Sequence, residues 1–148
     1  MLGDLNKAQL LDFLNHQFIG RLGCSNDGET YVVPINYVYR ENAIHAHSGT
    51  GKKIDMMRAN PKVCFLIDEI VNTFNWKSAI IQGTFSELQG ETRQQAMQGI
   101  IHKIMPLTSK PTQDPSHGIN PAEHDNLIVY KIEFSSISGK YESHDDEA

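Results

Sequence analysis

Residues 18–48 read FIGRLGCSNDGETYVVPINYVYRENAIHAHS, and this stretch decides the fold class. It holds three apolar, β-branched or aromatic runs separated by two tight turns. Asn26-Asp27-Gly28-Glu29 is the first turn, because Asp-Gly supplies the positive φ that a two-residue hairpin needs. Arg40-Glu41-Asn42 is the second. The runs predict strands over residues 18–25, 30–39 and 43–48. Gly20 and Gly23 flank the first of these. Strands joined by tight turns are antiparallel. An alternating βαβ order is absent and no GxGxxG occurs, which argues against a dinucleotide-binding doubly wound sheet.

Working outward, Asp4 caps a first helix whose stripe is Leu10, Leu11 and Leu14. Ser48-Gly49-Thr50-Gly51 breaks the third strand. Residues 52–59 have helical character, and Asn60-Pro61 stops them. The apolar run at 63–67 predicts a strand over 63–68, buried on both faces. Residues 76–88 predict a long strand with a bend or bulge at Gly83. An amphipathic helix spans 91–105, with Ala96, Met97, Ile100, Ile101 and Ile104 as its stripe. Pro106, Pro111, Pro115 and Pro121 predict an irregular segment over 106–125, a length that is usually functional or disordered. A last strand covers 127–134. Six strands and three helices predict a mainly β, antiparallel barrel with peripheral helices.

The chain has 148 residues, enough for one core, expected over 1–140 with a frayed acidic tail at 141–148. Lys plus Arg is 13 against 18 Asp plus Glu, a net charge of −5. That balance argues against general nucleic-acid binding and against an anionic membrane surface. The apolar run at 63–67 falls far short of the ~20 residues of a membrane helix. The polar N-terminus lacks a signal-peptide core. Cys24 and Cys64 have neither zinc nor redox spacing, so they read as reduced core thiols of a cytoplasmic protein.

The chemistry concentrates in Ile44-His45-Ala46-His47-Ser48-Gly49-Thr50-Gly51-Lys52-Lys53-Ile54-Asp55. A strand enters a glycine-rich turn, and a helix starts on two lysines. Free N–H groups, the helix dipole and two ammonium groups make an anion site suited to a phosphate; the alternative is a solvated helix start. The pattern is not a Walker loop, since no Ser or Thr follows Gly51-Lys52. His45 and His47 alternate along a strand and share one face. A metal would need a third ligand, and His16, His102, His117 and His124 have no motif around them. In Tyr31-Val32-Val33-Pro34-Ile35-Asn36-Tyr37, Pro34 removes a ladder donor and forces an edge or a bulge. Such an interruption either protects an edge strand or leaves backbone groups for a flat polar ligand, with Asn36 adding donor and acceptor. Trp76, Lys77 and Ser78 open the long strand, as a second anion contact or as plain turn residues.

These residues, in order, resemble the pyridoxamine-phosphate-oxidase-like split β-barrel flavin proteins, and most of all their nitroimidazole-resistance branch. The resemblance covers roughly residues 1–140. It rests on Ile19-Gly20-Arg21-Leu22-Gly23, Val33-Pro34-Ile35-Asn36-Tyr37, His47 to Asp55 leading to Asn60-Pro61, Trp76-Lys77-Ser78 through Gly83, and Ser138-Gly139-Lys140. It implies a homodimer with two FMN sites at the subunit interface. Val33, Pro34, Ile35 and Asn36 would line the isoalloxazine through their backbone. His47 would sit beside the ring or ribityl chain and is the candidate catalytic group. Gly51, Lys52 and Lys53 would hold the phosphate. Ser78, with Trp76 and Lys77, would contact the ribityl or phosphate end. The family usually has Arg-Lys where this chain has Lys52-Lys53, so the bidentate fork is missing. The arginine- and tryptophan-bearing C-terminal segment of true pyridoxamine-phosphate oxidases is not visible, which argues against vitamin B6 oxidation. The implied activity is FMN-dependent reduction of nitro-aromatic or quinone-like acceptors, with reduced nicotinamide as donor. A flavin-storage protein, or a heme- or deazaflavin-binding relative, is the alternative. Residues 106–125 would cover the partner's ring. Apolar positions such as Ile80 and Ile81 would lie in the dimer contact.

Overall fold

The computed structural model describes residues 1–108 and 127–144. The chain opens with β1 (Leu2–Asp4) and α1 (Lys7–His16). The first predicted turn then joins β2 (Ile19–Asn26) to β3 (Glu29–Asn36), and the second joins β4 (Val38–Arg40) to β5 (Ala43–Ser48). Asp27 and Gly28 have φ of 51° and 79°, and Glu41 and Asn42 have 52° and 60°. Paired positive φ values give the twist that flanking strands require. Helix α2 (Lys52–Ala59), β6 (Lys62–Asn72), β7 (Asn75–Glu87), α3 (Gly90–Thr108) and β8 (Ile128–Glu142) follow.

All pairings are antiparallel, in the order β3-β2-β6-β7-β8-β5-β4, with β1 added to β8. β3 and β4 are one extended run bent at Tyr37. Its first half pairs with β2 and its second with β5, so the run brings the two ends of the sheet together. Closure is partial. The β4–β5 ladder joins Val38 to His45 and Arg40 to Ala43. Continuing that register would set Asn36 opposite His47, but no ladder forms there. The barrel is therefore split between β3 and the end of β5.

Tyr37 fixes the bend. Its hydroxyl donates to the Leu14 carbonyl at 2.6 Å, its N–H donates to the Phe18 carbonyl at 3.1 Å, and its ring meets Phe65 edge-on at 5.3 Å. Leu22, Ile44, Phe65, Ile81 and Ile132 fill the interior, with Leu14 of α1 and Ile54 of α2 packed among them. The apolar stripe of α3 packs outside the barrel on Val38 and Val129. Among the described residues, no helix is long and apolar enough to cross a membrane.

The structure corrects several expectations. There are eight strands among the described residues, since β1 forms by pairing rather than by pattern and the 30–39 run is bent in two. Asp4 pairs with Lys140 in β1 and does not cap α1. Asn6 does, in a capping box with Gln9. Gly20 and Gly23 lie inside β2. A Cβ at Gly20 would stand 2.2 Å from Phe65 Cζ, so only glycine fits. β6 buries one face alone. Val63, Phe65 and Ile67 are buried, while Cys64 and Leu66 are half-buried on a surface groove, so Cys64 is not a core thiol. The bulge near Gly83 belongs to β8, where Ser135 is the extra residue. Gly83 itself is required by close approach, since a Cβ there would stand 2.7 Å from Glu133 O. Helix α3 continues through Pro106 to Thr108, since one missing N–H in a last turn does not stop it. The rest of the expected loop, residues 109–125, lies outside the described residues, and so does its expected role. β8 runs to Glu142, so Tyr141 and Glu142 of the expected tail are paired with β1 and β7. Ile81 is fully buried; only Ile80 is exposed.

Candidate functional site

β5 ends at Ser48, and the chain turns through Gly49, Thr50 and Gly51 into α2. A Cβ at Gly49 or Gly51 would meet nothing within 4 Å, so the turn faces open space. No side chain caps α2 at Gly51. Its first N–H groups thus lack intrahelical partners and a side-chain cap. Lys52 Nζ contacts Glu29 Oε2 at 2.6 Å, and that hydrogen bond raises the Lys52 pKa. Lys53 is half-buried, and burial lowers its pKa, with Cys24 a weaker opposing influence. Burial likewise raises the Cys24 thiol. The Tyr130 hydroxyl, also buried, has no hydrogen-bond partner among the described residues, and burial pushes its pKa far above the ordinary phenol value.

The other wall of the split is the free edge of β3. Pro34 lies opposite Arg21 on the paired side. Val33 and Ile35 pack against the core, while Pro34 and Asn36 are exposed on the opposite face. His47 is half-buried at the end of β5, paired with Val129. Extrapolating the β4–β5 register would set His47 across the split from Asn36, with no ladder joining them. His45 lies on the same face of β5 as His47 but is buried, paired with Val38, and its Nδ1 has no hydrogen-bond partner among the described residues. Its pKa is lowered by burial first, then by Arg40 and Lys131, against upward pulls from Glu41 and from a backbone hydrogen bond at Ala43.

The split lies between the β3 edge, which carries Val33 to Asn36, and the β5–α2 junction, which carries His47 and Gly51 to Lys53; Lys52 reaches β3 at Glu29 and Tyr31. It does not collect Trp76, Lys77 and Ser78. These open β7, which lies three strands from β3 and three from β4 in the sheet order. Trp76 Nε1 donates to Glu142 Oε1 at 3.0 Å, Lys77 is exposed, and Ser78 is paired between Asp68 and Lys140. Sequence reasoning missed Glu29 and Tyr31 as neighbours of Lys52. No motif spacing marks residues that meet only through the hairpin register.

A second concave surface lies on the outer face of β3, β2, β6, β7 and β8. This groove of about 700 Å³ is lined by Gly23, Val32, Cys64, Leu66, Gln82 and Thr84.

A model of the family described as pyridoxamine 5'-phosphate oxidase matches residues 6–141. An uncharacterized protein of Rhizobium meliloti is 35% identical over 131 residues, covering 82% of this chain and 83% of that protein. The crystal structure of a FAD-binding protein from Mesorhizobium loti is similar with a TM-score of 0.80 at 27% identity, covering 97% of this chain and 98% of that one. A candidate 5-nitroimidazole antibiotic resistance protein from Bacteroides thetaiotaomicron shares the fold, with a TM-score of 0.73 at 20% identity over 95% of this chain and 87% of its own.

Proposed function

Because the chain belongs to the pyridoxamine 5'-phosphate oxidase family, we propose that it binds FMN in the split of its barrel and acts as a flavin-dependent oxidoreductase. What supports this reading is the β5–α2 junction: a helix start without a side-chain cap, led by two lysines, of which Lys52 reaches the edge strand β3 at Glu29 and Tyr31. The donor set suits a phosphorylated planar ligand. Lys52, Lys53 and the first N–H groups of α2 take the phosphate. The β3 edge offers carbonyls and N–H groups along Val33 to Asn36, interrupted at Pro34, to a flat polar ring. Asn36 adds a side-chain amide, and His47 stands across the split at the end of β5. The FAD-binding Mesorhizobium loti protein supports a flavin as the ligand class.

When bound, the flavin supplies the electron-transfer chemistry. The chain positions it, shields one side through the β3 edge, and sets a dipole and cations at the phosphate end. A backbone N–H near Asn36, or the His47 imidazole, would favour a reduced anionic ring. The acceptors are nitro-aromatic or quinone-like compounds and the donor is reduced nicotinamide. The setting is the cytoplasm, where that donor is abundant and Cys24 and Cys64 remain thiols.

A second copy of the chain completes the site on this reading. Val32 is 62% exposed and Ile80 43% exposed beside the outer groove. Covering this face removes apolar surface from water and gives Trp76, Lys77 and Ser78 a way to reach the partner's split.

Absorbance of the purified protein is the test. A flavin spectrum, with FMN released on denaturation, supports the reading; a colourless protein that takes up no FMN refutes it, and a Soret band would replace it with heme. Turnover with reduced nicotinamide and several acceptors then separates an enzyme from a flavin-storage protein. A flavin-loaded monomer in sedimentation would refute the shared site.

A further inference from the structure

His45 is buried, at 6% exposure, and its Nδ1 makes no hydrogen bond among the described residues. The strand register says what covers it. His45 lies opposite Val38 of β4 on one side and Lys131 of β8 on the other. Opposite residues of an antiparallel ladder share a face. Val38 belongs to the outer cluster that Ala96, Met97, Ile100 and Ile104 of α3 form with Val129, and Val129 lies opposite His47. His45 is therefore on the face of β5 that α3 packs against. None of the described α3 side chains belongs to the barrel interior, which is a separate cluster.

That face offers a charged ring no free anion. Arg40 of β4 donates to Gln95 of α3 at 3.4 Å and lies 3.7 Å from Glu41 of the turn. Lys131 of β8 is paired with Glu133 at 3.1 Å. On α3, Arg93 and Lys103 donate to the Leu127 and Gln17 carbonyls, while Glu91 and His102 are exposed. His47, two residues along β5, is half-buried on the same face. Burial, Arg40 and Lys131 disfavour protonation of His45 more than Glu41 and the backbone hydrogen bond at Ala43 favour it.

We propose that α3 is an acid-released cover: protonation of His45 lifts the helix from β4, β5 and β8 and exposes the apolar cluster beneath it. A neutral imidazole is tolerated among apolar side chains, but an imidazolium there needs water or an anion. Lifting α3 is the smallest rearrangement that hydrates the ring and leaves the barrel interior closed. The polar ties that break, Arg40 to Gln95, Arg93 to Leu127 and Lys103 to Gln17, are exposed or part-buried, where water replaces them.

Amide hydrogen exchange of the intact protein between pH 8 and pH 5, corrected for the intrinsic exchange rate at each pH, tests this. A site that takes up one proton on opening opens up to about tenfold more per pH unit below the ordinary histidine pKa of about 6.5. The amides of residues 96–104 should lose protection in that manner and stay less protected than those of β6 and β7 throughout. His45→Leu, and His45→Gln as a polar variant that cannot titrate, should both remove the pH dependence in α3. Protection of α3 that is constant across the range overturns the proposal. So does a pH dependence that persists in either variant. Equal protection of α3 and the barrel strands overturns it too, because His45 is then hydrated only by global unfolding.

Discussion

Replacing Lys53 by methionine separates phosphate anchoring from structural support. Lys53 is half-buried, and desolvation lowers its pKa. Its ammonium therefore bears a cost in the free protein that an arriving phosphate offsets. One hydrogen bond to a charged group contributes about 1.5–3 kcal/mol, and half exposure places Lys53 toward the lower end through solvent screening. The expected loss is about 10- to 30-fold in FMN affinity. The methionine keeps the aliphatic packing, so the unfolding midpoint of the flavin-free protein should not fall. The pH dependence has a definite sign. Anion binding needs the protonated amine, so wild-type affinity declines as pH rises through the Lys53 pKa, which lies below the usual 10.5. The variant should lack this alkaline limb. Fluorescence titration across neutral to alkaline pH, with riboflavin as the phosphate-free control, reads the two binding effects, and urea unfolding reads the midpoint. An unchanged FMN dissociation constant, or an equal loss for riboflavin, would refute the phosphate role of Lys53.

Four further outcomes test the scaffold. Tyr37→Phe removes the buried hydrogen bond to the Leu14 carbonyl and should cost about 1–3 kcal/mol in urea unfolding; an unchanged midpoint would show that the bend is held by packing alone. Gly20→Ala drives a methyl against Phe65, which is itself fully buried, and should cost about 1–3 kcal/mol or more. Gly49→Ala, with open space around it, should stay within about 0.5 kcal/mol of wild type. His45 has a lowered folded-state pKa, so the unfolded chain binds its proton more readily. Stability should fall as pH drops below about 6.5 and toward that folded pKa, and His45→Leu should flatten this slope in melting curves between pH 8 and pH 5. Parallel slopes for wild type and variant would rule His45 out as the cause.

Much of the site was readable because it is local. The turn at Asp27-Gly28 and the β5-to-α2 junction depend on residues close in sequence, and the boundaries of both β5 and α2 match the reading from composition alone. Pro34 announced an edge strand, and β3 is one. The failures are equally physical. β1 has three residues and no apolar rhythm; it exists because β8 offers it an edge. β6 reads as buried on two faces because its apolar run is continuous, yet one of those faces lines an open groove. Trp76 to Ser78 were read as a second anion contact or as turn residues, and the strand order sets them three strands from the split of their own chain.

The amino-acid order by itself determined where the chain turns, which segments are strands, and that a glycine-led helix would start on two cations. Only the tertiary structure decided where the barrel stays open and that Glu29 would lie against Lys52. The reason is that φ preferences and apolar periodicity act over a few residues. Strand register and barrel closure join residues tens of positions apart, and no short window of sequence carries that information.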